Sequence, residues 1–160
     1  MPTLTKIGSS LIGSIQPFGG TSLPFGFLFC DGSSLLRTTY PKLFASIGTS
    51  YGAVDGTHFN IPDFRGRFLR GVDGGVARDP DRASRTVSNS GGSSGDSVGS
   101  LQQDEFTSHS HTILALANVA PVAGPNNSPN TQSGLNQPTG STGGNETRPK
   151  NVYVNYVIKY

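Results

Sequence analysis

The chain has 160 residues and a formal net charge of +2, from 12 basic and 10 acidic side chains. Gly, Ser, Thr, Pro and Asn supply 77 residues while Leu, Ile, Val and Phe supply 38, about 24%; that apolar share is just above the roughly 20% below which chains stop folding, and with charge so nearly balanced it describes a loop-rich, mainly β protein with one core rather than a disordered tail. No apolar run approaches the ~20 residues of a membrane span, two surplus positive charges are too thin a footprint for nucleic acid, and the single Cys30 allows neither an internal disulfide nor a zinc site within one chain.

Taken in order, residues 1–10 lack a basic start, a continuous apolar stretch and a small-residue cleavage site, so no signal peptide is visible. Residues 11–71 alternate apolar bursts with turn residues: Ile12 to Ile15, Phe25 to Cys30, Leu35 and Leu36, Leu43 to Ile47, Phe59 to Ile61, and Phe64 to Leu69. Bursts this short, bracketed by Gly, Pro, Asp or Ser, predict short strands. One helix is predicted from Tyr40 to Ile47: Thr39 can cap it, Pro41 suits its first turn, Leu43, Phe44 and Ile47 share a face, and Gly48 follows its end.

Residues 72–107 form a Gly/Ser/Asp/Arg-rich connector, in which Asn89 to Gly95 has the composition of a flexible link. From Ser108 to Val119 β character returns. Pro121 to Gly144 is then an almost wholly polar, uncharged stretch, and a loop of that length within a small domain is either functional or disordered. Asn151 to Tyr160 alternates Val152, Val154, Tyr156 and Ile158 with Tyr153, Asn155, Val157 and Lys159, the clearest strand in the chain.

Three groups of residues invite a chemical reading. His109 and His111 are separated by one residue, so on a strand both imidazoles share a face about 6.6 Å apart along the chain. That is half a metal site. A threefold axis would bring six imidazoles together, a set suited to octahedral Fe(II) better than to tetrahedral zinc; the alternative is two surface histidines. Arg65, Arg67 and Arg70 alternate with Phe64, Phe68 and Leu69 and lie close in sequence to Asp63, Asp73, Asp79 and Asp81. Charge-paired arginines that lock a loop or a subunit contact account for this better than RNA binding. In the long loop, Asn118, Asn126, Asn127, Asn130, Gln132, Asn136 and Gln137 offer hydrogen bonds with little charge, the inventory for recognising neutral sugars; a mobile linker is the competing reading. No Gly-x-Ser-x-Gly elbow, P-loop or His-Glu-x-x-His motif is present, Cys30 follows Phe27, Leu28 and Phe29 as a buried inert thiol would, and no enzymatic activity is expected.

A set of matching residues carries a resemblance. It begins with Gly13-x-Ile15-x-x-Phe18-x-Gly20, continues with Pro24-x-Gly26-Phe27-x-x-Cys30-Asp31-Gly32 and Tyr40-Pro41-x-Leu43-Phe44, and runs on through Ile47-Gly48-x-x-Tyr51-Gly52 and Asp55-Gly56. It closes with Phe59-x-x-Pro62-Asp63-x-Arg65-Gly66-Arg67-Phe68-x-Arg70-Gly71. With these residues, the segment from Gly13 to Gly71 resembles the phage tail collar domain of distal tail fibres and related bacterial fibre-like adhesins, with Phe27 where that family often has Trp. Gln102-Gln103-Asp104-x-Phe106-x-Ser108-His109-x-His111 resembles the segment after the collar, and Glu146-Thr147-Arg148-Pro149-x-Asn151 with Tyr156-x-Ile158-Lys159 resembles the final strand.

The resemblance implies an interwoven parallel homotrimer. It has an N-terminal lead-in from a shaft at 1–10, a collar at 11–71, a connector at 72–107 and a tip at 108–160 that includes the variable loop 116–145. It also implies one transition metal per trimer, iron rather than zinc, held on the axis by His109 and His111, and structural roles for Glu146 and Arg148 beside the three arginines. The expected function is recognition of a bacterial surface glycan or outer-membrane receptor by residues 116–145. The protein would sit in a virion tail fibre, or at the cell surface if a bacterium encodes it. A structural collar or assembly adaptor without receptor contact is the alternative.

Overall fold

The computed structural model describes residues 11–105, 108 and 148–160. The chain divides into two compact units, one comprising residues 1–103 with 150–160 and the other residues 104–149. All regular elements among the described residues belong to the first. They are β1 (Ile15–Phe18), β2 (Phe27–Phe29), β3 (Ser34–Leu36), α1 (Pro41–Ile47), β4 (His58–Asn60), a single 3-10 turn (Arg82–Ser84), β5 (Thr86–Val87), β6 (Ser100–Leu101) and β7 (Asn155–Lys159). The architecture is mainly β with one short helix, joined by long irregular segments, as the composition predicts.

The principal sheet has the order β1-β7-β2, with β7 antiparallel to both neighbours. Ile158 stands opposite Ile15 on one side and Leu28 on the other. The last strand is therefore the central one, and both its faces are covered: Val157 is 2% exposed and Ile158 0%. Val157 and Ile158 belong to opposite alternations of this strand, and a strand packed on both sides hides members of both sets. This strand also starts later than expected. Phe18 pairs with Asn155 at the end of β1, and the Cys30 amide reaches the Tyr156 carbonyl (2.9 Å). Val152, Tyr153 and Val154 lie before those partners, outside the strand and exposed.

The C-terminal strand groups with residues 11–71 in the first unit, where β1 and β2 flank it and bury Val157 and Ile158. Residues 72–103 belong to that unit as well.

A second sheet pairs β3 with β4, Leu35 opposite Phe59. Asp55 sets up β4 by accepting the amides of Thr57 (2.7 Å) and His58 (2.9 Å) in an Asx turn. Cys30, Leu43, Phe59, Ile61 and Ile158 form the buried cluster, with Ile12, Ile15, Leu28, Phe44, Ile47 and Tyr156 among the residues packed around it. A side chain such as Phe59, 0% exposed, gains about 1.5–3 kcal/mol from that burial.

Helix α1 carries Leu43 into this cluster and sets Phe44 against Phe59, ring centroids 5.3 Å apart. Its N-cap is Tyr40, with no side-chain cap, rather than Thr39. The Thr39 and Tyr40 amides both turn back to the Leu36 carbonyl (3.2 Å each), which places Thr39 in the turn after β3. Pro41, which has no amide hydrogen, removes one of the donors a cap would serve. Gly48 ends the helix at φ +55°, its amide bonded to Phe44 O at 2.8 Å.

Asn89 to Gly95 does not act as a loose link. Ala53 N donates to Ser90 O (2.9 Å), Ser93 N to Ser50 O (3.0 Å), and the Asn89 side-chain amide to Tyr51 O (3.1 Å). Gly52 makes this seat possible. At φ +109° it tolerates the backbone, and a Cβ there would lie 2.6 Å from that of Asn89.

Candidate functional site

His109 and His111 lie outside the described residues, as do Asn118, Asn126, Asn127, Asn130, Gln132, Asn136, Gln137 and Glu146. Arg148 is described, and it is exposed in a stretch without regular structure. Among the described residues no group of three or more His, Cys, Asp or Glu side chains gathers as a metal site would require.

Arg65, Arg67 and Arg70 are all on the surface of the first unit. Arg65 grips Asp63 through Nε (2.8 Å) and Nη2 (2.7 Å) and also donates Nη2 to the Asp31 carbonyl (3.0 Å). This fork, then the nearby charges of Arg65 and Arg67, lowers the Asp63 pKa against the opposing pull of partial burial. Arg70 reaches Asp79 (3.4 Å) and Gln102 (3.4 Å).

Further along the chain, three carboxylates organise residues 70–103. Asp96 accepts the amides of Asp73 (3.0 Å), Gly74 (3.2 Å) and Gly75 (2.9 Å). Asp73 accepts those of Ala77 (2.8 Å), Arg78 (2.7 Å) and Asp79 (2.9 Å) and lies 3.6 Å from Arg82. The bond from the Asp79 amide leads the causes that hold the Asp73 carboxyl below its ordinary pKa. Asp79, its side chain 8% exposed, faces Arg70 and Arg85, and Arg85 continues to Ser100 Oγ (2.9 Å) and Gln102 Oε1 (2.8 Å). The sequence reading noted Asp73 and Asp79 but missed Asp96 and Arg85. The turn signal Asp73-Val-Gly-Gly was legible; its acceptor 21–23 residues away was not, because a backbone amide carries no sequence signature.

Two groups with catalytic potential, Cys30 and His58, are respectively buried and held in a turn. Cys30 is 4% exposed, and burial, reinforced by Asp31 and Asp63, pushes its thiol up to about 12. Such a thiol supplies almost no thiolate near neutral pH. Asp55 sits 2.9 Å from His58 Nδ1 through either oxygen, and that contact, then the Thr57 hydroxyl, holds Asp55 well below the ordinary carboxylate range. The pair shapes the turn into β4.

Two surface features remain. Phe25 (98% exposed), Phe68 (67%), Val152 (85%) and Tyr153 (88%) leave large apolar groups uncovered. A cleft of about 210 Å³ opens between Phe29–Asp31, Phe64–Arg65 and Val154–Tyr156.

Comparison with known proteins relates part of the chain to a family. Residues 13–69 match the family model described as Phage Tail Collar Domain. The chain is also similar to Protein RhiB of Rhizobium leguminosarum bv. viciae, at 39% identity over 143 residues that cover 84% of this chain and 64% of that protein. It thus spans about 64% of the length of that curated relative. The matched segment takes in β1 to β4, α1, the Asp63–Arg65 fork and the buried cluster apart from Ile158. Through residues 13–69, the chain is similar to the phage tail collar domain family.

Proposed function

We propose that the protein is the receptor-binding end of a trimeric fibre, recognising a bacterial surface glycan through residues 116–145. The observation that carries this reading is topological. Residues 104–149 form their own compact unit, yet the chain leaves the collar-containing unit at 103 and re-enters it at 150. A linker would join two separate domains; a segment that departs from and returns to one base is an insertion, as a recognition loop on a scaffold is.

The uncovered Phe25, Phe68, Val152 and Tyr153 support assembly, since contact with two further copies would add apolar burial that a chain this poor in apolar residues lacks. His109 and His111 from three copies would hold one transition metal, six neutral imidazoles suiting iron over zinc, and binding confined to the trimer would stabilise it. Several tips on one particle would convert weak single contacts into useful avidity. No bond is made or broken in this function. The fibre would belong to a virion tail, or to a cell surface if a bacterium encodes it.

Deleting residues 121–144 tests the reading. The expected result is a trimer by light scattering that no longer adheres to host cells. Retained adhesion would assign the protein to a structural adaptor role instead, and release of reducing ends from surface polysaccharide would overturn the non-enzymatic reading. Metal analysis of the trimer and of a His109→Ala/His111→Ala variant is expected to show one metal per three chains, lost in the variant.

A further inference from the structure

The insertion's central stretch, residues 121–144, contains no aromatic side chain, whereas pyranose recognition draws on ring faces as well as hydrogen bonds. The cleft in the collar-containing unit has both. Phe29, Phe64 and Tyr156 line it, with the Phe64 and Tyr156 rings 5.7 Å apart and nearly perpendicular at 82°. Asp31, Arg65 and Asn155 line it too.

Each of these polar side chains is held by one part and leaves another unspent. Asp31 Oδ1 accepts the Ser33 amide (3.0 Å) and hydroxyl (2.6 Å), and Oδ2 has no hydrogen-bond partner among the described residues. Arg65 is fixed through Nε and Nη2, and Nη1 has none among them. Asn155 donates Nδ2 to Gly20 O (2.8 Å), and Oδ1 has no hydrogen-bond partner among the described residues. Two acceptors and a donor, immobilised beside aromatic rings, form a preorganised polar set on an apolar floor. With Arg65 neutralised by Asp63, the cleft shows no cationic surplus that would select a phosphate. Its volume of about 210 Å³ falls below the roughly 300–1,000 Å³ of pockets for drug-sized ligands and suits a single ring-sized molecule.

We infer that this cleft binds one neutral pyranose unit, a sugar subsite on the collar separate from the insertion; the inference rests on the glycan reading of the proposed function. Asp31 and Asn155 accept sugar hydroxyl protons, Arg65 donates to a hydroxyl or ring oxygen, and the rings cover a C–H face.

The test is an amide NMR titration of the full chain with the methyl glycosides of glucose, galactose, mannose and N-acetylglucosamine, repeated on two variants. Val154→Arg fills the cleft from a position 44% exposed, and Asp31→Asn keeps shape while removing the charge. The expected result is saturable millimolar binding of at least one glycoside, with shifts centred on residues 29–31, 64–65 and 154–156. Binding should be abolished by Val154→Arg and weakened about fivefold or more by Asp31→Asn. No saturable shift at tens of millimolar of any glycoside, or shifts unchanged by Val154→Arg, would overturn the subsite. A change of oligomeric mass in Val154→Arg without any sugar response in the parent would assign the cleft to chain–chain contact and also overturn it. Adhesion assays on the same proteins separate the two readings: if the titration fails while deleting 121–144 still abolishes adhesion, the subsite falls and the receptor function stands.

Discussion

Ile158 lies opposite Ile15 across an antiparallel ladder, so the final strand of the chain completes the sheet begun by the first. Because β7 runs between β1 and β2, removing it exposes both neighbours at once. A fragment ending at residue 103 is expected to lack a cooperative urea transition. In the full chain, Ile158→Ala should lower stability by about 2–5 kcal/mol through lost transfer energy and a cavity, read as a reduced urea midpoint at unchanged slope.

Asp96 tests the second layer of the same unit. Removing the carboxylate takes the acceptor from three backbone donors: the exposed Gly74 and Gly75 amides turn to water, while the part-buried Asp73 amide costs about 1–3 kcal/mol if kept from it. Asp96→Ala should therefore raise hydrogen exchange at Asp73, Gly74 and Gly75 by an order of magnitude or more while leaving the β1-β7-β2 amides protected. Equal loosening of both regions would show that residues 70–103 and the principal sheet unfold as one.

Acid should weaken the fold, and the sign follows from the depressed carboxyls. Asp55, Asp63 and Asp73 all have folded pKa values below their ordinary ones. Each contributes stability that is fully present above about pH 4 and is lost as pH falls through the folded value, when the native carboxylates take up protons. Thermal melts between pH 7 and pH 2 should show a falling midpoint below about pH 4, and Asp73→Asn should flatten that fall while lowering the midpoint at neutral pH.

Cys30 behaves in the opposite sense. With the native thiol pushed up to about 12 by burial and then by Asp31 and Asp63, the folded chain should ignore a thiol-specific disulfide reagent at pH 8 and react at once in denaturant. A native thiol titrating quantitatively at that pH would contradict its place in the core. As pH rises above about 9, the unfolded chain ionises first, so this residue's contribution declines towards the folded value.

Local order explains what the sequence by itself determined. Short bursts between Gly, Pro and Asp residues marked β2, β3 and β4, and Pro41 with Gly48 bounded α1, because strand length, helix start and helix stop depend on residues within a turn or two of each other. The apolar run ending at Cys30 announced that thiol's burial, and the Arg65–Asp63 pair was legible because its partners are two residues apart. The tertiary structure alone decided that β7 is the central strand of the principal sheet, which buries Val157 and Ile158 from opposite alternations. It alone made Asn89 to Gly95 a seated segment and gave Asp96 its amides. Those outcomes rest on backbone donors and acceptors, identical at nearly every residue, and on sheet neighbours chosen by what remains to be buried; neither is written in the side chains that a sequence displays.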